Sequence, residues 1–240
     1  MARFGPRSPI FYWGNLQLSF ADASLLNMKK IWWTFKLIGY FIRISISPTD
    51  TTAALGMGEC LYDLGFVKEM SASLVANKEC AQVILERKLM NRFDLLALQK
   101  LAPGTLGRCY ADHMLSLGLN PDFFKPMLVT NDSSFSMLRL RQTHDLWHVL
   151  LGFDTSVPGE IGLQSFYFAQ LRAPIAPFLV GGSLLGASFR RRETLLPIFE
   201  SIIKGWHMGL KAKSIYPFDW EAHWETPLKD LRASLDVVIS

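Results

Sequence analysis

Four ionisable side chains set inside an apolar run constrain this chain more than anything else in it. His144-Asp145-Leu146-Trp147-His148 lies within 134–151, where Met137, Leu138, Leu140, Leu146, Val149 and Leu150 recur roughly at helical spacing. Histidines at i and i+4 share one helix face about one turn apart, the spacing at which two imidazoles can share a cation. Gly152 ends the helix, a short turn follows, and Pro158-Gly159 opens a second apolar run with Glu160 in its first turn. An antiparallel pair joined this way can return Glu160 to the histidines. A lone buried histidine is commonly a hydrogen-bonded core residue, and a purely structural network is the competing reading. Burying His144, Asp145, His148 and Glu160 among Leu, Trp and Phe is costly unless they are paired or metal-bound. The pattern therefore predicts a divalent-metal site across a helical hairpin.

Composition narrows the rest. Half of the 240 residues are hydrophobic and 19% are charged, below the usual quarter or so, which argues against disorder. The net charge of +4 is mild and nothing selects nucleic acid as a partner. The excess sits at the N-terminus, where Arg3, Arg7, Lys29, Lys30, Lys36 and Arg43 face only Asp22 and Asp50. Cys60, Cys80 and Cys109 lack metal-type spacing and read as reduced core residues of an intracellular protein. No uncharged apolar run is long and unbroken enough for a membrane span, and no signal peptide is visible. An Arg-bearing, acid-poor start is compatible with a transit peptide.

In chain order, 1–22 reads as an irregular arm. Residues 25–46 form a helical stripe of Met28, Ile31, Trp32, Phe35, Ile38, Phe41 and Ile42, with the lysines mostly off it. Such a basic amphipathic helix suits a membrane interface, and Trp33, Leu37 and Tyr40 widen its apolar surface. Two segments follow: 1–48, the arm and this helix, and 49–240, a helical domain. Thr49 or Asp50 starts a helix that Gly65 stops, and Asn77 separates two more. Gly104-Thr105 starts another helix, and that glycine turn lacks the length and lysine of a phosphate loop. The Pro- and Gly-broken stretch 173–189, ending in Arg190-Arg191-Arg192, reads either as the lining of a prenyl slot or as a broken core helix. Residues 195–210 and 228–235 are further helices. Strand signals are thin, with 43–47 alternating only briefly. The fold class is all-α: a single multi-helix domain with a metal-binding hairpin and an apolar lipid-binding channel.

These residues resemble the Coq4 family of ubiquinone (coenzyme Q) biosynthesis proteins. Its H-D-x-x-H-x(11)-E hallmark is met by His144, Asp145, His148 and Glu160. The likeness extends through 101–110, 139–152 and 220–232, over roughly 50–235. The resemblance implies an all-helical fold, a divalent ion usually given as zinc, and peripheral attachment to the inner membrane, on the matrix side in a mitochondrion and from the cytoplasm otherwise. It also implies work on a polyprenylated ring, by oxidative decarboxylation at C1 and by scaffolding other quinone-biosynthesis enzymes. One departure stands beside the site: Gln164 and Tyr167 occupy positions where the family commonly has Lys and Glu.

The donor set of two nitrogens and carboxylate oxygens suits Zn and, by hardness, also Mg, Mn or Fe. Asp145, about 100° around the helix from His144, serves as an edge ligand or as an orienter of an imidazole. Arg139, Arg141, Gln164, Tyr167 and Phe168 are candidates to hold the substrate, a prenylated quinone precursor or a prenyl phosphate. Two further readings compete with a lyase: a non-catalytic lipid-binding scaffold, and a metal-dependent polyprenyl phosphate hydrolase. The last normally adds an upstream histidine, and His113 lies in no evident metal-facing context. The hydrophobic excess favours a homodimer.

Overall fold

The computed structural model describes residues 20–121, 123 and 127–239, with backbone alone over 20–26. Eleven α-helices run through the described residues without a strand: α1 Phe20–Ile46, α2 Thr51–Asp63, α3 Phe66–Val75, α4 Lys78–Leu85, α5 Leu95–Leu98, α6 Leu106–Ser116, α7 Asp132–Leu151, α8 Val157–Leu171, α9 Ala176–Arg190, α10 Leu195–Lys211 and α11 Leu228–Ser234. The chain is thus a single all-α domain. Residues 1–19 of the expected arm lie outside the described residues, and 20–22 open α1.

Local chemistry sets the helix ends. Asp50, Asn77, Asp94 and Thr105 each accept a backbone N–H at the start of a helix, satisfying donors the helix itself leaves unpaired. Gly65 ends the α2 turn at φ +92°, which a side chain would disfavour. The alternation over 43–47 does not make a strand, because α1 continues through Ile46 and buries Ile44 completely.

The main core gathers α3, α4, α6, α7, α8 and α11 around Trp147, Trp220, Tyr110, Tyr216, Phe135 and Phe166. Next to it, Leu37 and Ile44 of α1 pack on Ala53, Met57, Cys60 and Leu61 of α2, so α1 shares its core with the segment beyond residue 48. Segment 173–189 is not broken by its prolines and glycines, because α9 runs unbroken from Ala176 to Arg190. Pro174 falls in the turn before α9 and Pro177 in its first turn, where a missing N–H costs nothing. Gly182 and Gly186 then let α9 close on Ile44 and Ser45 of α1. Arg191 fastens that contact through the carbonyls of Ile46 and Ser45. An apolar hollow of about 300 Å³ remains on this seam, between Phe41, Ile42 and Ile46 of α1 and Leu185 and Phe189 of α9.

On the other flank α10 lies on α8 through Gly205 and Gly209, whose missing side chains admit the Gly162 carbonyl and Ala169. With small residues inward, Leu196, Phe199, Ile203, Trp206 and Leu210 of α10 face outward, from 38% to 74% exposed. Residues 28–46 of α1 present a similar outward stripe, with Phe35 70% exposed. Among the described residues no helix is long and apolar enough to cross a membrane.

Candidate metal centre

The hairpin is built by its own sequence. Asn131 caps α7 in a reciprocal box with Ser134, and α7 ends at Gly152 in the left-handed region, φ +70°. Ser156 caps α8, with Pro158 in the first turn. Gly159 is required because a Cβ there would collide with the Asp154 carbonyl. This tight return sets Glu160 in the first turn of α8, where the helix dipole favours a carboxylate, opposite the last turn of α7.

His144, His148 and Glu160 converge. One ligand atom from each lies within 4.8 Å of the others, and the two imidazoles stack 4.8 Å apart at 19°. Buried His148 has Nδ1 3.0 Å from the Phe153 carbonyl oxygen, an acceptor, so Nδ1 carries the proton. In the neutral ring Nε2 is then a lone pair, and it faces Glu160 Oε1 at 3.2 Å; His144 Nε2 lies 3.8 Å from Oε2. Lone pairs meeting at that distance need a proton or a cation between them. With a proton there, burial opposes the charge on His148, but the Glu160 carboxylate outweighs it and raises its pKa. Burial likewise pushes Glu160 up, and the His148 and His144 imidazoles more than reverse that. His144 is held neutral by burial and by His148. Two neutral imidazoles and a half-buried carboxylate at this spacing fit a divalent ion.

The other expected members separate. Asp145 is not in the triad; its charge acts on the His144 and His148 imidazoles as well as on Tyr110 and His113 of α6. Gln164 and Tyr167 continue the Glu160 stripe of α8 and are buried, with Tyr167 set edge-on to Trp147 at 4.8 Å and to His144 at 6.1 Å. Arg141 shares the α7 face of the histidines and reaches Met127 Sδ at 3.9 Å. Arg139 does not serve the site. Nine residues from His148, it points to the opposite side of α7, where its buried guanidinium donates to the carbonyls of Tyr216, Lys88 and Phe218. Phe168 also turns away, to Trp206 of α10, 6.1 Å off, and is 40% exposed.

His113 is the residue that sequence reasoning passed over. Its ring lies 6.1 Å from that of His148, inclined by 21°, and burial and His148 keep it neutral. Leu106, Tyr110, His113 and Met114 fall at i, i+4, i+7 and i+8 on α6, a spacing that already places His113 on the buried face. Its Nε2 is buried without a hydrogen-bond partner. So are His144 Nδ1, His148 Nε2, Gln164 Oε1 and the Tyr167 hydroxyl, and among the described residues no other side-chain atom is in that condition. Folded proteins pair nearly all such atoms, and here the five unpaired ones belong to the two cluster histidines and to His113, Gln164 and Tyr167.

Fold and site together define an all-helical protein whose candidate metal centre spans one helical hairpin. The chain belongs to the Coq4 family, described as coenzyme Q (ubiquinone) biosynthesis protein Coq4, whose profile matches residues 36–239. It is 29% identical to the mitochondrial ubiquinone biosynthesis protein COQ4 homolog of Rattus norvegicus over 194 residues, 78% of this chain and 71% of that one. To the mitochondrial COQ4 of Podospora anserina it is 27% identical over 239 residues, covering 97% and 74% of the two chains. Among solved structures it superimposes on a Nostoc punctiforme PCC 73102 protein assigned to ubiquinone biosynthesis, with TM-score 0.77 and 28% identity over 86% of this chain and 99% of that one.

Proposed function

We propose that this protein acts in ubiquinone-type ring synthesis by binding a prenylated ring at the hairpin, beside a divalent cation held by His144, His148 and Glu160. The observation that carries this reading is the concentration of unpaired buried polar atoms at that place and in no other described part of the chain. Zinc is the first choice for the donor set, and Mg, Mn or Fe are compatible with it. A bound cation supplies Lewis acidity toward a ring oxygen or carboxylate. The chain's own groups orient the ligand. Phe153 fixes the His148 tautomer, Trp147 holds the Tyr167 ring edge-on, and Arg141 offers a positive charge on the same face. The reaction class is removal of the ring carboxylate at C1 with hydroxylation there, which takes an external oxidant.

Native mass spectrometry and metal analysis of purified protein test the reading. One divalent ion per chain and a co-purified prenyl lipid are expected, with the ion lost in His148→Ala. Unchanged metal content in that variant overturns the assignment.

The exposed faces of α1, α9 and α10 favour a second reading, a scaffold that works at a membrane surface, on the matrix side in a mitochondrion, and assembles with other quinone-biosynthesis enzymes or with a second copy of itself. Variants that lose metal yet keep product formation, while losing assembly, decide for the scaffold. His113 beside the His–Asp pair is the feature a polyprenyl phosphate hydrolase would share, and release of inorganic phosphate from a prenyl phosphate identifies that activity.

A further inference from the structure

The three converging ligands belong to α7 and α8, but the end of α7 that carries His148 is held by a different helix. α7 finishes at Leu151 and, like any α-helix, leaves its last carbonyls without an N–H of its own. The Gly152 N–H returns to the His148 carbonyl, and among the described residues no backbone N–H reaches those of Val149 and Leu150. Arg232 of α11 takes both. Its Nε donates to the Leu150 carbonyl at 2.8 Å and its Nη2 to that of Val149 at 2.9 Å. Such bonds are charge-assisted, and a cation at a helix C-terminus also meets the negative end of the dipole. Burial lowers the Arg232 pKa, and no carboxylate acts on the guanidinium in return. Leu228 and Leu231, buried on the same short helix, seat it. Beyond α11, Ile239 lies against the turn itself, where a Cβ on Gly152 would stand 2.8 Å from its Cδ1.

We infer that Arg232 is a positioning residue for the metal centre, fixing the last turn of α7 and the turn after it so that His148 presents Nε2 to the cation. The inference rests on the reading that His144, His148 and Glu160 hold that cation. Arg232 touches none of them and acts through backbone. The carbonyls it holds follow His148 directly, and the His148 Nδ1 proton goes to the Phe153 carbonyl just beyond them. Without the guanidinium, Val149 and Leu150 regain partners only if the N–H groups of Phe153 and Asp154 wind back in α-helical register. That movement carries the Phe153 carbonyl away from Nδ1, frees the tautomer and shifts the chain leading to Glu160. Arg139 supplies the comparison. It too donates to backbone carbonyls, three of them, but from the side of α7 opposite the site. A residue that merely fastens the fold should behave like Arg139.

The probe is Co(II), which takes the same nitrogen and oxygen donors as zinc and whose visible absorption reports the geometry of its ligands. It is titrated into the metal-free full-length chain, with affinity read by competition against a chelator. Arg232→Met should weaken Co(II) by about ten- to hundredfold, the usual cost of losing a group that orients a ligand, and should change the visible band. Arg232→Gln keeps one neutral donor, and should lose affinity by about three- to tenfold. Arg232→Lys restores a cation that reaches the same carbonyls, and should recover most of the affinity and the wild-type band. Arg139→Met should lower the melting temperature of the metal-free protein at least as far as Arg232→Met does, yet leave the Co(II) affinity and band unchanged.

Wild-type affinity and band in Arg232→Met overturn the inference and leave the metal reading intact. So does an equal loss of affinity in Arg139→Met, since that marks general destabilisation. If Arg232→Met does not fold, Arg232→Gln decides in the same way, and an unchanged affinity and band there overturn the inference. Failure of the wild type to bind Co(II) overturns the metal reading itself.

Discussion

At the scale of single residues, His148 is constrained at both ring nitrogens. Its Nδ1 proton is committed to Phe153 and its Nε2 is aimed at Glu160, so only a proton or a cation completes the contact. In metal-free protein the sign of the pH dependence follows. The His148 pKa is raised above 6.5 by Glu160, so that contribution is whole below pH 6.5 and is lost as pH rises through the raised value. The Glu160 pKa is lowered from 4.5, so its share is present above pH 4.5 and is lost as pH falls through the lowered value. The stability difference between wild type and Glu160→Gln, from thermal melts in chelator, should therefore peak between pH 4.5 and 6.5; a difference flat with pH refutes the pairing. Arg139→Met should destabilise the fold by about 2–4 kcal/mol in denaturant titrations, because three carbonyls, that of buried Tyr216 among them, lose their donor. It should leave metal content unchanged. Sequence spacing already held both lessons: nine residues is half a revolution from His148, and the α6 periodicity pointed His113 inward. Which carbonyls Arg139 meets was not legible, since Lys88, Tyr216 and Phe218 come from distant parts of the chain.

At the scale of elements, the α8–α10 contact decides what the surface looks like. Gly205 and Gly209 bring the two backbones together, and the large α10 side chains are left outside as a result. Gly205→Ala should force α10 away from the Gly162 carbonyl at a cost of about 2–3 kcal/mol, read as a fall in melting temperature of about 5–10 °C. A melt within a degree or so of the wild type contradicts the close approach. On α1, Leu37 and Ile44 are buried while Ile38 and Ile42 are half exposed beside Lys36 and Arg43. Ile38→Glu with Ile42→Glu should then abolish co-sedimentation with anionic vesicles and leave the helical circular dichroism intact; retained binding removes α1 from the membrane reading. The stripe on α1 was readable from its 3.6-residue period. The one on α10 was not, because an amphipathic pattern gives the apolar face without saying that glycines on the other side will claim the core.

At the scale of the whole molecule, a cation held between α7 and α8 would tie together two helices of the central core. Zinc in hundredfold excess over its dissociation constant should add about 2.7 kcal/mol of stability, and chelation should remove it. His148→Ala should melt at one temperature with or without zinc. A zinc response that survives in that variant places the ion elsewhere. The apolar groove between α1 and α9 is lined by Phe41, Ile42, Ile46, Leu185 and Phe189, none of them part of the His144–His148–Glu160 cluster.

The sequence by itself determined the helices, their caps and the hairpin that returns Glu160 to the two histidines. Each of these is a matter of residues within a few turns of one another, where periodicity, capping and left-handed glycines act locally. Tertiary structure decided what those elements enclose. It spent Arg139 on backbone carbonyls, turned Phe168 outward, drew His113 in from α6 and seated the α9 glycines Gly182 and Gly186 on α1. The physical reason is that such contacts depend on how closely two backbones approach and on which distant polar groups need partners, and neither is written within one segment of the chain.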